Sequence, residues 1–316
     1  MTITAAAAAI EGAAISSATP AADPAIPTAD GMYSGISDEV YHGDRGSLSS
    51  SGARSLLAPS CPAIFRYEQD QPRTPKKEYD FGHAAHLYVL GEGSEICTLD
   101  PEVHGLTGDG KVSNSPTSTS MWKEAVKEAR ARGQVPMHIA DVVKAKAMAA
   151  KVREHPMARA LLIDGTPELS GYWHDRDSGI RLRFRPDWLP NPGRHRLVVV
   201  DYKTSTTAHP GHFAKAAAEY GYHMQQAWYL DGLAAAEIAD DAAFVFIVQS
   251  KTAPYLVSVN ELDPAAVDLG RRRNRKAVDL YANCLANDHW PDYGQGINSV
   301  SLPSYAVYQQ EGELDR

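Results

Sequence analysis

The sequence predicts an α/β fold in which a central mixed β-sheet is flanked by helices. The apolar run at 197–200, bounded by polar residues, is typical of a strand buried on both faces, and 244–248 is a second apolar run typical of a strand. The segment 181–187 alternates basic and apolar residues with the period of a half-buried strand. Segments with helical character, 213–235 and 263–285, follow these strands. Strands and helices that alternate along a chain indicate a sheet covered by helices.

Length and charge limit the class of protein. A chain of 316 residues can bury one large core or two small ones. Its 43% hydrophobic and 22% charged residues are ordinary for a soluble globular protein. The 31 basic and 39 acidic residues give a net charge of −8, which argues against a general nucleic-acid coat protein. Binding of nucleic acid in one local, positively charged channel stays open.

Targeting and cysteine signals are weak. No apolar run approaches the length of a membrane span. The alanine-rich N-terminus lacks a basic segment and carries Glu11, which argues against a signal peptide, so we expect a cytoplasmic protein. Cys61, Cys97 and Cys284 lie far apart, so neither a disulfide framework nor a C-x-x-C zinc site is expected.

The composition divides the chain into a tail and one domain. Residues 1–31 consist largely of Ala, Pro, Ser and Thr with few large apolar groups, which predicts a disordered tail. We expect a single folded domain over 32–316.

The first helices are predicted from caps and small residues. The serines at 47–51 are N-cap candidates for a short helix through Ala53 and Leu57, before the prolines at 59 and 62. A helix over 80–90 carries small residues that suit close packing, with His86 on its buried side. A lone histidine in that position is more often a core residue than a ligand.

The middle of the chain leads into the predicted sheet. Residues 104–120 are predicted to form a loop, and 121–132 and 140–162 to form helices. The segment 168–173 is expected to be the first strand of the sheet that contains 197–204, with a hairpin turn at 175–179. Glu168 is either an accessory acid or a surface glutamate at a strand end.

Charged side chains gather at the end of the buried strand. Asp201 and Lys203 project from the same side because side chains alternate along a strand. On the preceding strand Asp187 shares a face with arginines, and a turn at 190–193 would make the two strands antiparallel neighbours. We therefore expect Asp187, Asp201 and Lys203 to lie together. An isolated pair of this kind is usually a surface ion pair, but clustered acids beside a lysine suit a metal ion and an anionic substrate.

Later elements add polar candidates. Gln225 and Tyr229 are four residues apart and share a helix face. Strands at 244–248 and 255–259 flank a turn, and Asp263 and Pro264 are suitable N-cap and N1 residues for a long helix. The residues of that helix expected to face inward are Val267, Asn274, Val278, Tyr281 and Leu285. Its basic run at 271–276 is either a solvated face or a phosphate contact.

Taken together, these motifs resemble the PD-(D/E)XK nuclease superfamily, and its RecB-like branch in particular. The matching motifs, in family order, are Phe81-Gly82-x-Ala84-x-His86, Pro186-Asp187, Asp201-Tyr202-Lys203 and Gln225-x-x-x-Tyr229. The resemblance covers roughly 33–293 and is nearest to the RecE-type exonucleases (exodeoxyribonuclease VIII) of phage recombination systems. The additional similarities are Ser47-Leu48-Ser49, Cys61-Pro62, Arg185-Pro186-Asp187 and Trp290-Pro291.

The resemblance implies a restriction-endonuclease-like core and a site for metal-assisted phosphodiester hydrolysis. One or two Mg²⁺ ions, with Mn²⁺ as an alternative, are expected on four groups: His86, Asp187, Asp201 and the carbonyl of Tyr202. Lys203 would orient or help deprotonate water, and Gln225 and Tyr229 would position the DNA backbone. The candidates for DNA contact are Arg181, Arg183, Arg185, Arg272, Arg273 and Arg275.

The implied activity is digestion of duplex DNA from 5′ ends, which leaves 3′ single strands for an annealing partner. Some relatives form rings, so a homo-oligomer is expected as well. One alternative is the CRISPR-associated, iron–sulfur branch, but the three scattered cysteines do not supply its four-cysteine cluster. Another is a catalytically silent DNA-binding protein, against which the intact His, Asp, Asp and Lys argue.

Overall fold

The computed structural model describes residues 16–17, 26–71, 77–191, 193 and 195–314. Most of the tail predicted over 1–31 lies outside these ranges, so its disorder stays a prediction. Residues 26–31 belong to the described part, and the carbonyl of Pro27 accepts a hydrogen bond from Arg181. Within the described ranges every helix is too short or too polar to cross a membrane.

The strands of the described ranges are numbered in chain order. They are β1 (Ser16–Ser17), β2 (Gly31–Ser34), β3 (Leu48–Ser49), β4 (Ile96–Leu99), β5 (Val135–His138), β6 (Gly165–Pro167), β7 (Ser170–His174), β8 (Arg181–Phe184), β9 (Trp188–Pro190), β10 (Val198–Ser205), β11 (Ala243–Ser250) and β12 (Val257–Asn260).

The helices are numbered in the same way, and a 3₁₀ turn at Pro116–Ser118 lies in the predicted loop. They are α1 (Asp38–Gly43), α2 (Ser50–Ser55), α3 (Pro62–Asp70), α4 (Lys77–Leu90), α5 (Pro101–His104), α6 (Ser120–Ala131), α7 (Ile139–Glu154), α8 (Pro156–Leu161), α9 (Pro210–Tyr220), α10 (Tyr222–Ala235), α11 (Pro264–Asn287) and α12 (Ser304–Leu314).

Two five-stranded sheets form the core of the fold. The first, called the β10 sheet, has the order β12-β11-β10-β9-β6, and the second, called the β7 sheet, has the order β1-β2-β7-β8-β3. β10 pairs parallel with β11 and antiparallel with β9, so the β10 sheet is mixed, as predicted. Val199 and Val200 are fully buried on β10, which confirms a strand covered on both faces.

The partition of strands between the two sheets differs from the prediction. We expected the Arg181 strand to lie next to β10, and 168–173 to open the same sheet. Both expectations are wrong, because β7 and β8 pair with each other in the β7 sheet. The neighbour of β10 is the short β9, with Trp188 opposite Val200. Pro186 explains the break, since proline cannot donate to a strand ladder and ends β8 before the chain enters the β10 sheet.

Several helix predictions are confirmed and others need correction. Ser49 caps α2 through the amide of Gly52, and Asp263 caps α11 through the amide of Ala266. The helix predicted over 213–235 is two helices, because Gly221 adopts a left-handed conformation with φ of 69°. The helix over 140–162 is also two, α7 and α8, since Pro156 begins a new one.

On α11 the predicted inward stripe is correct except at its end. Val267, Asn274, Val278 and Tyr281 are buried, but Leu285 is 46% exposed. The side chain of Asn274 donates to the carbonyl of Met224 on α10, which explains a polar residue in an apolar stripe.

α10 connects the two sheets. The indole of Trp228 donates to the carbonyl of Arg183 in the β7 sheet at 2.9 Å. The ring of Tyr229 lies 5.8 Å from that of Phe244 in the β10 sheet. Because α10 contacts both sheets, its side chains Gln225 and Tyr229 have fixed positions relative to β10.

Candidate active site

The centre of the site is the carboxylate of Asp201, in the middle of β10 and fully buried. Its Oδ1 lies 2.5 Å from Nζ of Lys203, two residues along the same strand. Its Oδ2 accepts a hydrogen bond of 2.5 Å from Nε2 of Gln225 on α10. The carboxylate of Asp201 therefore contacts both Lys203 of the same strand and Gln225 of the predicted α10 motif.

Asp187 lies where the chain crosses from β8 to β9. Its Oδ2 accepts the backbone amide of Tyr202 at 2.7 Å, so β10 itself fixes the position of this second carboxylate. The same oxygen lies 2.8 Å from Nε2 of His86 on α4. The carbonyl of Tyr202 as a metal ligand stays a prediction.

Glu168 is a third acid at this site. Its Oε1 is 3.7 Å from Nδ1 of His86, and its Oε2 is 4.0 Å from Nη1 of Arg185. The backbone of Glu168 has φ of 52°, which is strained for a non-glycine residue. The sequence left its role open between an accessory acid and a surface residue. The geometry places it beside the histidine.

The electrostatics reflect buried like charges and their counter-ions. Burial, and then the charge of Asp187, raise the pKa of Asp201 to about 6. Burial alone would lower the pKa of His86, but the charges of Asp187 and Glu168 outweigh it and raise that pKa to about 9. Burial alone would also lower the pKa of Lys203, but the carboxylates of Asp201 and Asp187 outweigh it and raise that pKa. Both bases are thus protonated beside ionised acids at neutral pH.

A cavity of about 280 Å³ opens beside the two carboxylates and is lined by Asp187 but not by Asp201. One wall carries His86, Glu168 and Asp187, together with Arg185. The remaining polar residues of the lining include Ser50, Arg54, Gln225 and Tyr229. Arg54 and Ser50 were not predicted, although their spacing of four residues in a short helix places them on one face.

The donor set fits a hard divalent cation. In the part of the chain that the structure describes, no three His, Cys, Asp or Glu side chains form a preformed metal cluster. The reason is that His86 contacts Asp187 directly and Lys203 contacts Asp201. Two buried carboxylates that repel each other, with Glu168 and an imidazole nearby, would gain from a cation in place of the His86–Asp187 contact. Carboxylate and carbonyl oxygens are the ligands that suit Mg²⁺ or Mn²⁺.

The arginines of 181–185 have partners inside the protein. Arg183 is buried and donates to the carbonyl of Asp44 at 2.9 Å. Arg185 lies over the ring of Tyr41 at 4.0 Å and pairs with Asp38 at 2.8 Å. Arg181 lies over the ring of Tyr172 at 4.4 Å. The predicted DNA contacts of Arg181 and Arg183 find no support in this geometry, whereas Arg185 reaches the cavity.

The basic run at 271–276 lies on α11, and α11 packs against α10. Arg275 pairs with Asp175 at 2.8 Å and with Asp279 at 2.6 Å. Arg272 is exposed and pairs with Asp268 at 3.0 Å, and Nε of Arg273 lies 3.3 Å from the sulfur of Met224. None of these groups contacts the carboxylates of the site in the interactions described for this run, so their role in binding DNA stays a prediction.

The sequence carries the signature of a known family. The model of the PDDEXK-like domain of unknown function (DUF3799) matches residues 49–303. The chain belongs to this family. The matched range contains the six motif residues predicted for the site: His86, Asp187, Asp201, Lys203, Gln225 and Tyr229. The fold class predicted from the sequence is therefore confirmed for this PDDEXK-like protein.

A solved structure supports the same fold. The protein resembles a crystal structure from Eubacterium rectale, described as a "Putative exonuclease", with a TM-score of 0.54 and 9% identity over 88% of this chain and 99% of that chain. At that identity the likeness concerns the fold alone. The crystal structure of SSO0001 matches with a TM-score of 0.26 and 14% identity over 64% of this chain and 85% of that chain, too low to support a conclusion. No curated protein is significantly similar to the chain.

Proposed function

We propose that this PDDEXK-like protein is a metal-dependent exodeoxyribonuclease that degrades linear duplex DNA. The observation that carries the proposal is the cluster of two carboxylates and a lysine beside one cavity. Asp187 lines the cavity, and the fully buried Asp201 lies next to it on β10, 2.5 Å from Lys203. Two carboxylates and an ammonium in this arrangement suit a metal ion and a phosphodiester substrate.

Asp187, Asp201 and His86 would hold the cation, with the carbonyl of Tyr202 as a further oxygen ligand. When bound, Mg²⁺ or Mn²⁺ would supply Lewis-acid polarisation of the scissile phosphate. The chain provides the rest of the environment. Asp201 is fully buried, so its carboxylate acts in a low-dielectric environment, whereas Asp187 is partly exposed to the cavity.

Lys203 is the group that can hold a proton next to the phosphate. Its ammonium lies between the carboxylate of Asp201 and the ring of Tyr222, 5.0 Å from the ring centroid. In that position it stabilises negative charge that develops on phosphate oxygens and orients the attacking water. Gln225 fixes the orientation of Asp201 through its hydrogen bond of 2.5 Å, so it is a positioning residue.

The finer parts of the proposal rest on the resemblance to RecE-type exonucleases. These parts are digestion from 5′ to 3′, release of 3′ single strands for recombination, action with a single-strand annealing partner, and assembly into a homo-oligomer. A phage recombination system is the setting in which such products are used.

Digestion of end-labelled linear duplex DNA tests the proposal. The protein is incubated with 5′-labelled or 3′-labelled duplex, in Mg²⁺, in Mn²⁺ and in excess chelator, with covalently closed circular duplex as a control. We expect early release of 5′ label, retention of 3′ label, no cleavage of the circle and no activity in chelator. Activity that persists in chelator would exclude the metal mechanism. Binding of DNA without cleavage in either metal would instead support the silent DNA-binding protein.

A further inference from the structure

Two polar groups on α2 line the cavity without hydrogen-bond partners among the described residues. Ser50 is only 5% exposed, and its hydroxyl has no hydrogen-bond partner in the described part of the chain. Nη1 of Arg54 is buried and also lacks a partner among the described residues. Both residues line the cavity that contains Asp187 and Glu168.

Local structure holds these two groups in place. Ser50 is the first residue of α2, whose cap is formed by Ser49, so the hydroxyl of Ser50 is not needed for capping. One helical turn separates Ser50 from Arg54. The methylenes of Arg54 lie against Gly221, where an added Cβ would be 2.6 Å from Cδ of the arginine. Gly221 therefore leaves the room that Arg54 occupies beside the start of α10.

Arg54 differs from the arginines of this protein that pair with acids. Arg183, Arg185 and Arg275 each lie within 4.0 Å of a carboxylate. Arg54 has no such ion pair within the described ranges, and the carboxylates of Asp201 and Asp187 are already engaged by Lys203 and His86. A buried guanidinium nitrogen without a partner is unfavourable, because its lost hydration is not replaced. An anion that enters the cavity would supply the missing partner of Nη1.

We propose that Arg54 and Ser50 form an anion subsite for a phosphate group of the nucleic-acid substrate, next to the carboxylates and separate from them. A guanidinium fork and a hydroxyl are suitable donors for phosphate oxygens, and the fork can donate two parallel hydrogen bonds. One cavity of about 280 Å³ contains this subsite and Asp187, so the bound phosphate lies close to the one that is cut. The inference rests on the proposed function for the identity of the phosphate as part of DNA.

Two phosphates have this chemistry: the monoester at a DNA end and a diester within the strand. Their contributions separate if binding is measured with two short duplexes of the same sequence, one with 5′-phosphate ends and one with 5′-hydroxyl ends. The measurement uses fluorescence anisotropy in excess chelator, so that cleavage does not interfere. The variants are Arg54→Gln and Ser50→Ala. Arg132→Gln is the matched control, because Arg132 is exposed and does not line the cavity.

We expect Arg54→Gln to weaken binding by about tenfold, as loss of a charge-assisted hydrogen bond does. Ser50→Ala should weaken it a few-fold with the same preference between duplexes, and Arg132→Gln should bind like the unmodified protein. A loss with both duplexes assigns the subsite to an internal diester. A loss with the 5′-phosphate duplex alone assigns it to the terminal monoester.

Equal binding of Arg54→Gln and Arg132→Gln on both duplexes would overturn the inference. Thermal unfolding of each variant checks the fold, and if Arg54→Gln is unfolded, the result for Ser50→Ala decides. Cleavage by the unmodified protein in Mg²⁺ is measured separately. Its absence would contradict the proposed function, whereas an unchanged affinity of the variants would contradict only the phosphate subsite.

Discussion

At the scale of single residues, the site is built at the expense of stability. Asp201 is fully buried beside Asp187, and burial together with that charge raises its pKa to about 6. A carboxyl whose pKa is raised in the folded state destabilises the fold when it is ionised at neutral pH. Functional residues are often kept in such unfavourable positions.

Replacement of Asp201 by Asn should therefore separate activity from stability. We expect Asp201→Asn to reduce cleavage by more than about 100-fold, since even loss of an outer partner of a metal ligand costs roughly 10–100-fold. The free energy of unfolding of the metal-free variant should be equal to or higher than that of the unmodified protein at pH 7. Rates on linear duplex and urea unfolding in chelator provide the two measurements.

The matched control for this variant is Asp268→Asn, on an exposed carboxylate of α11. It should leave both the cleavage rate and the unfolding free energy near those of the unmodified protein. Full activity of Asp201→Asn, or a large loss of its stability, would contradict the assignment of Asp201 as a functional carboxylate held against stability.

At the scale of elements, α10 fits closely against the β7 sheet at one glycine. An added Cβ at Gly232 would lie 2.7 Å from Cδ1 of Phe184 and 3.1 Å from the indole of Trp173. By contrast, an added Cβ at Gly82, within α4, meets nothing within 4 Å. The same substitution should therefore have opposite effects at the two positions.

Gly232→Ala should destabilise the protein by about 1–3 kcal/mol, the typical effect of an overpacked core. Gly82→Ala should stabilise it by about 0.5–1 kcal/mol, since alanine is the better helix former. Urea unfolding of the two variants in parallel measures both values. A stabilising Gly232→Ala would show that α10 can move away from the β7 sheet.

The β7–β8 hairpin is tied to α11 by Arg275, which pairs closely with Asp175 and at 3.6 Å with the exposed Asp177. Asp175 accepts hydrogen bonds from Nη1 of Arg275 at 2.8 and 2.9 Å and from the amide of Ser178. Burial alone would raise the pKa of Asp175, but the hydrogen bonds of Arg275 and Ser178 outweigh it and lower that pKa. The stabilisation is present above the unfolded pKa of about 3.9 and is lost as the pH falls through the lower folded value.

Asp175→Asn should accordingly reduce the free energy of unfolding by about 1–3 kcal/mol at pH 7, the range for hydrogen bonds to charged groups. The difference from the unmodified protein should shrink below about pH 3.9, where the natural side chain also becomes neutral. Urea unfolding at pH 7 and pH 3 tests this expectation. An equal difference at both pH values would assign the effect to packing rather than to charge.

The elements also show what the sequence can predict here. β10 was predictable because its apolar residues are contiguous, and motifs in family order brought Gln225 to the same site as Asp201, although their direct contact was not predicted. The division of the strands between two sheets could not be predicted in the same way. The alternation of basic and apolar residues over 181–187 continues across Pro186, whereas the hydrogen-bond ladder of β8 stops before it. The unpaired Arg54 carries no local signal, since its environment is completed by Gly221 from a distant part of the chain.

At the scale of the whole molecule, charge limits how DNA can be bound. The net charge of −8 repels a polyanion at long range, so affinity must come from local groups. Several basic groups that the sequence predicts to bind DNA are already paired with carboxylates inside the protein, Arg183 with Asp44 and Arg275 with Asp175 and Asp279. Arg272 and Arg273 on α11 remain the better candidates for binding phosphate outside the cavity.

Salt dependence of binding distinguishes these arginines. For duplex DNA each neutralised phosphate contributes about 0.9 to the slope of log affinity against log salt. Arg272→Gln combined with Arg273→Gln should therefore reduce the slope by up to about 0.9 for each phosphate that the double variant no longer binds. Arg275→Gln is the internal control from the same run, and its slope should stay unchanged because its charge is already paired with Asp175 and Asp279. Anisotropy of a labelled duplex across a salt series, in chelator, gives the slopes. If the double variant keeps the slope of the unmodified protein, the basic run is a solvated helix face, and phosphate is bound in the cavity alone.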